Sequence, residues 1–343
     1  MKHRLLTTLI LGCALGLPLA ASPVLSIEGR AFLLDRQPFD MWGIRVASAT
    51  QSDALTDELI ANLDDYRAHG VNSITVYLMG SSAAHGDPFS ADGTEFDPPH
   101  RARLERLLHA CAARNIVPIV GIFYHRADEP RLRDWEAVRN AVRTVATFLS
   151  PHRHAILNIA KEQNHAGYAG LPWARVVDPE SVLELCRLAR QANPHLVVGA
   201  GGSDQRRNVA IGRAPEVDVL LFNTQGDTSS GALYLGWLAQ GVDKPMVNVE
   251  IFGAWTDRFL PAGVFPEDAK RVHLREIEEA ANRSGLYVHL HNTPWIQPSG
   301  AGAVARYDLG GAGTAEDPGL RWYFEAVRPH NRSGPVHYPP LRL

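Results

Sequence analysis

From residue 41 onward, short apolar runs alternate with segments whose apolar residues recur at helical spacing. The runs are MWGIRVA from 41, VNSITVYLM from 71, IVPIVGIFYH from 116, AILNIAKE from 155, LVVGAGG from 196, DVLLFNT from 218, PMVNVEIFG from 245 and LYVHLHN from 286. Each is the length of a strand, and a strand buried on both faces has no polar side to show. DALTDELIANLDDYRAHG and PEDAKRVHLREIEEAANRSG lie among the intervening segments, with Gly70 and Gly285 as expected C-terminal caps. Eight strand-helix units predict a (β/α)8 TIM barrel, an α/β fold, as one domain over 22–343. A doubly wound open sheet is the other option, but no glycine fingerprint follows the first strand. Ahead of the barrel, Val24–Glu28, a turn at Gly29 and Ala31–Leu34 predict a short β-hairpin. The tail after Pro329 is expected to pack over the barrel surface.

Composition changes this picture little. The 343 residues are 45% hydrophobic and 21% charged, with a formal net charge of -3, so neither disorder nor a nucleic-acid-binding surface is indicated. The first 21 residues add one feature. Lys2, His3 and Arg4 precede a nearly unbroken apolar run from Leu5 to Leu19, and Ala20, Ala21 and Ser22 follow as a small-residue cleavage site. This is the pattern of a secretory signal peptide over 1–21, and it implies a secreted or periplasmic protein. The run is shorter than the ~20 residues a membrane span needs, and nothing later is long enough. Cys111 and Cys186 fall within helical patterns and are read as small buried hydrophobes.

In such barrels the chemistry sits at the C-terminal ends of the strands. Those ends carry Arg45 (first strand), Tyr124-His125 (third), Lys161-Glu162 (fourth), Ser203-Asp204 (fifth), Asn223 (sixth) and Glu250 (seventh), and the eighth runs through His289 and His291 towards Trp295. One glutamate at a strand end is commonly a solvated loop residue. Two, at the fourth and seventh ends, face each other across the mouth. A pair of carboxylates ~5–5.5 Å apart can serve as nucleophile and acid/base in retaining glycoside hydrolysis. Asn248 alternates onto the face of Glu250 and is read as a polar member of the inner layers.

ILNIAKEQNH followed by PMVNVEIFG resembles the retaining (β/α)8 glycoside hydrolases of the cellulase-like group, and SIEGRAFLLDRQPFDMWGIRV is similar to that group's opening hairpin and first strand. The resemblance implies a carbohydrate substrate, no cofactor, Glu162 as acid/base and Glu250 as nucleophile. Arg45 and His125 stand where the family often places residues that hold the nucleophile or the sugar. Two positions depart from the pattern. Lys161 replaces the Asn that binds the sugar 2-hydroxyl, and its charge favours a carboxylate over a carboxylic acid next door. Asn223 stands on the sixth strand in place of a Tyr. Together with His291 and Trp295, these form the expected sugar-binding set, with the Trp295 indole as a flat platform for a sugar's C–H face.

Two other functions compete. His289 and His291 alternate onto one face of the eighth strand and, with Lys161, resemble metal-dependent amidohydrolase barrels; those carry their His-x-His pair on the first strand, where this chain has Trp42-Gly43-Ile44-Arg45. A non-catalytic carbohydrate-binding barrel is suggested by Lys161. The sugar, the linkage and the oligomeric state are open.

Overall fold

A computed structural model describes residues 22–80, 87–125, 130–224, 228–251, 263–291, 295–297 and 305–331. The expected signal segment and the far end of the tail lie outside the described residues. The hairpin is present and is longer than expected. β1 (Leu25–Glu28) and β2 (Ala31–Leu34) pair antiparallel, and a third strand, β3 (Gln37–Phe39), pairs with β2. A three-residue strand containing a proline has too little alternation to be read from sequence.

Eight parallel strands then close into a barrel: β4 (Trp42–Arg45), β5 (Ser73–Tyr77), β6 (Val117–Phe123), β7 (Ile156–Ala160), β8 (Val197–Ala200), β9 (Val219–Asn223), β10 (Met246–Glu250) and β11 (Leu286–Leu290). β7 and β10 are therefore the fourth and seventh barrel strands. The helices are α1 (Asp53–Ala68), α2 (Pro98–Ala112), α3 (Trp135–Phe148), α4 (Pro179–Ala192), α5 (Gln205–Arg213), α6 (Ser230–Ala239), α7 (Glu267–Ala281) and α8 (Arg321–Val327). Six begin on a side-chain cap, Ser52, Asp97, Asp134, Asp178, Asp204 or Ser229, whose oxygen accepts an N–H of the first turn. Ser203-Asp204 thus serves to start α5. Gly70 follows α1 with φ +89°, as expected of a C-cap glycine, whereas α7 ends at Asn282 and Gly285 turns the chain into β11. Cys111 and Cys186 are buried in α2 and α4. Among the described residues no helix is long and apolar enough to cross a membrane.

The core has two parts. One lies between strands and helices; the other fills the barrel, where Val117, Ile119, Ile156, Val197, Val219, Leu221, Val247, Val249 and Tyr287 meet Leu25, Phe32, Leu34 and Phe39 of the small sheet. The N-terminal sheet therefore plugs the end of the barrel opposite the mouth. As far as Asn331 the tail packs back as expected, with Asn331 Nδ2 donating to the Gly70 carbonyl at 2.6 Å. Two strand glycines make room inside. A Cβ on Gly43 would lie 2.2 Å from His289 Nε2, and one on Gly121 2.2 Å from the Tyr77 ring.

Buried imidazoles give the fold an acid limit. Burial holds His273 down at about 4 and His289 and His291 at about 3, against 6.5 for a free imidazole. The unfolded chain takes up these protons near pH 6.5 and the folded one only below pH 4, so the stability they represent is complete above 6.5 and falls with pH. Thermal unfolding between pH 7.5 and 4 is expected to show a loss on the order of 3 kcal/mol per imidazole. A flat profile would contradict this.

Candidate active site

Glu250 closes β10, and a backbone irregularity aims it. Alternation along β10 sends Val247 and Val249 into the barrel and Met246 towards the helices. Asn248 also faces the helix layer, where its Nδ2 donates to Ser230 Oγ at 2.8 Å and Thr224 Oγ1 at 3.2 Å. This corrects the expectation that Asn248 belongs to the inner layers. Strict alternation would point Glu250 outwards as well. The register with β9 shifts, however: Asn248 pairs with Phe222 and Glu250 with Asn223, so one extra residue is inserted. Such a bulge turns the next side chain to the other face, and Glu250 enters the mouth. Its own N–H donates to Asn248 Oδ1 at 3.0 Å, which fixes the bulge.

Four of the expected sugar-binding residues converge on this carboxylate. Arg45 Nη1 and Lys161 Nζ each lie 3.1 Å from Glu250 Oε2, and Asn223 Nδ2 donates to the same oxygen at 3.2 Å. His291 Nε2 is 3.7 Å from Oε1. Arg45 also donates to His291 Nδ1 at 2.9 Å and to the Tyr124 hydroxyl at 3.0 Å. The same Nη1 is 3.2 Å from His291 Nε2, so it sits against both ring nitrogens, and burial favours the neutral imidazole. Burial alone would raise the Glu250 pKa, but the Lys161 and Arg45 charges outweigh it and hold the carboxyl well below the usual carboxylate range. Burial likewise disfavours the Lys161 ammonium, and the two glutamates and Tyr124 overcome it, leaving its pKa raised.

Glu162 stands two residues past β7. Its φ is +42°, a left-handed conformation that costs a non-glycine residue about 1–2 kcal/mol. Asn164 anchors the turn, accepting from Ser203 N at 2.9 Å and donating to Ser203 Oγ at 2.9 Å. The Glu162 carboxylate contacts Lys161 Nζ, and His125 Nδ1 is 3.9 Å from Oε2. Lys161 thus bridges the two glutamates. One ammonium can do so only if the two oxygens lie within about 6 Å of each other, twice a hydrogen-bond reach.

Trp295 does not join them. It is 3% exposed, its indole N–H donates to the Asp308 carbonyl at 2.9 Å, and its ring packs against Gly263, Gly310 and the Arg306 guanidinium. With its ring covered by the chain's own atoms, it offers no platform to a sugar; the expectation is corrected. Trp42 and Trp173 are buried too, and Trp255 lies outside the described residues. The sequence reading also passed over Tyr77, at the end of β5. Its ring lies beneath Arg45, 5.3 Å from the guanidinium carbon, and its hydroxyl accepts from Asn158 Nδ2 at 3.4 Å. Its position at a strand end was the available signal.

Of the histidines expected as a metal pair, His289 is engaged with Thr75 Oγ1 at 2.8 Å and His291 with Arg45. His125, Glu162 and His165 have ligand-type atoms within 4.8 Å of one another. Lys161 already contacts that carboxylate, however, and an ammonium stands where a metal ion would need to approach.

The fold has many solved counterparts. The chain superposes on a β-mannanase from the blue mussel Mytilus edulis with a TM-score of 0.56 at 15% identity, covering 93% of this chain and 99% of that one. The likeness is one of fold, the (β/α)8 barrel. An exo-β-1,4-mannosidase from Opitutaceae bacterium strain TAV5 gives 0.58 at 17% identity, covering 86% of this chain and 60% of that one. A protein of Bacteroides vulgatus ATCC 8482 assigned to the glycoside hydrolases gives 0.59 at 12%, and the chain spans 58% of its length. No family model matches the sequence, and no curated protein does.

Proposed function

We propose that the protein is a secreted retaining glycoside hydrolase in which Glu250 is the nucleophile and Glu162 the acid/base. The observation that carries the reading is the Lys161 bridge, which brings one oxygen of each carboxylate within about 6 Å of the other, the close approach that a retaining pair needs. Their surroundings differ in the sense the roles require. Glu250 has Arg45, Lys161 and Asn223 on one oxygen and is held as an anion, while Glu162 meets Lys161 alone among these, with the imidazoles of His125 and His165 close by. In the first step Glu250 attacks the anomeric carbon as the glycosidic C–O bond breaks, and the departing oxygen takes the Glu162 proton. In the second, Glu162 removes a proton from water, which displaces Glu250 from the anomeric carbon. In this reading Lys161 donates to the sugar 2-hydroxyl, the contact that the Asn makes in the hydrolases the sequence resembles. Protonation of a leaving group requires Glu162 to part from Lys161 when substrate enters.

β-Mannosides are the first substrates to test, because two of the superposed structures are a mannanase and a mannosidase. Aryl β-glycosides of several sugars, followed by proton NMR, are expected to show turnover with the β-anomer released first. Initial release of the α-anomer would contradict retention. A second reading, a carbohydrate-binding barrel without turnover, is favoured by the Lys161–Glu162 contact. Sugar binding with no wild-type hydrolysis of any aryl glycoside would establish it instead.

A further inference from the structure

We propose that Glu105, His109 and His152 form a zinc site on the outside of the barrel, at the end opposite the mouth. Glu105 and His109 are four residues apart on α2, which places them on one helix face. His152 comes from the turn between α3 and β7, ahead of a strand start, whereas the candidate active site lies past the strand ends. Backbone hydrogen bonds hold that turn, His152 N to the Leu149 carbonyl and Ala155 N to the His152 carbonyl, both 2.9 Å. One ligand-type atom from each of the three residues lies within 4.8 Å of the other two. The ring centroids of His109 and His152 are 5.2 Å apart and the rings are inclined at 72°.

An independent observation points to a ligand. His152 is 1% exposed, yet neither of its ring nitrogens has a hydrogen-bond partner. Leaving a buried polar atom unpaired is costly, so such atoms usually signal a bound water or ion. The neighbouring His154 differs: its Nε2 donates to the Leu108 carbonyl at 3.2 Å. Glu105 and His152 also line a groove of about 940 Å³ between α2 and α3, which gives an ion a path from solvent. Two imidazole nitrogens and one carboxylate oxygen suit Zn²⁺, with water as fourth ligand; Ca²⁺ and Mg²⁺ prefer oxygen alone.

The test is calorimetric titration of the tag-free full chain with ZnCl₂, together with thermal unfolding with and without the ion. The second candidate cluster, at the mouth, is controlled by His165→Ala. Wild type and His165→Ala are expected to bind one zinc and to gain thermal stability from it. His109→Ala, a change at an accessible helix position, should lose the gain and weaken binding by more than about tenfold, since losing a ligand costs at least what losing its supporting contacts does. Undiminished zinc affinity in His109→Ala, or no zinc binding by the wild type, would overturn the proposal.

Discussion

Glu250→Ala should lower turnover by at least about 10⁴-fold, the scale on which loss of a catalytic nucleophile acts. No other carboxylate among the described residues stands at the β10 end, so the covalent route has no substitute. The variant also leaves Arg45 and Lys161 buried without their shared counter-ion. Breaking such a pair costs about 3–5 kcal/mol, and the variant should unfold at lower temperature. Glu250→Gln keeps the volume and the hydrogen-bonding oxygen, so it separates chemistry from folding: near-native circular dichroism with the same loss of turnover is expected. Hydrolysis at more than a trace level in a folded preparation of Glu250→Gln would remove Glu250 from the mechanism.

Glu162→Gln has a different signature. General acid catalysis contributes about 10²–10⁴-fold, and only where the leaving oxygen needs a proton. Glycosides with poor leaving groups, such as oligosaccharides, should lose that factor in bond cleavage, while dinitrophenyl glycosides should lose far less from the first step. Their overall rate is then limited by water attack, which lacks its base, and a burst of aryl alcohol equal to the enzyme concentration is expected. Equal losses on both substrates, with no burst, would mean that Glu162 acts on binding or on Lys161 rather than on the proton.

The barrel was legible because a parallel strand buried on both faces must be apolar throughout, and the eight runs read from the sequence correspond to the eight barrel strands. Gly70 was legible as a cap because a positive φ after a helix favours glycine, whereas the Asp and Ser N-caps were not read. The site was legible in outline, through residues at strand ends: Arg45, Lys161, Asn223 and His291 all gather at Glu250. What escaped depends on details that alternation cannot encode. The β10 bulge reverses the facing of Glu250 relative to Asn248, and no residue type in VNVE marks it. The positive φ of Glu162 has no glycine to announce it. Lys161 reads as a replacement for one sugar contact, while its length lets Nζ cross to a carboxylate three strands away. Trp295 misled because an indole suits a sugar platform and a packed flank equally well, and only the covering residues decide between them.

The most direct test of the mechanism is to trap the covalent intermediate. A 2-deoxy-2-fluoro glycoside with a good leaving group, made from whichever sugar the enzyme cleaves, slows both steps but spares the first, so the glycosyl-enzyme accumulates. Peptide mass spectrometry should then find one fluorosugar on the peptide that carries Glu250, and none in the Glu250→Gln variant. A label on any other residue, or steady hydrolysis of the parent glycoside with no label at all, would contradict the account.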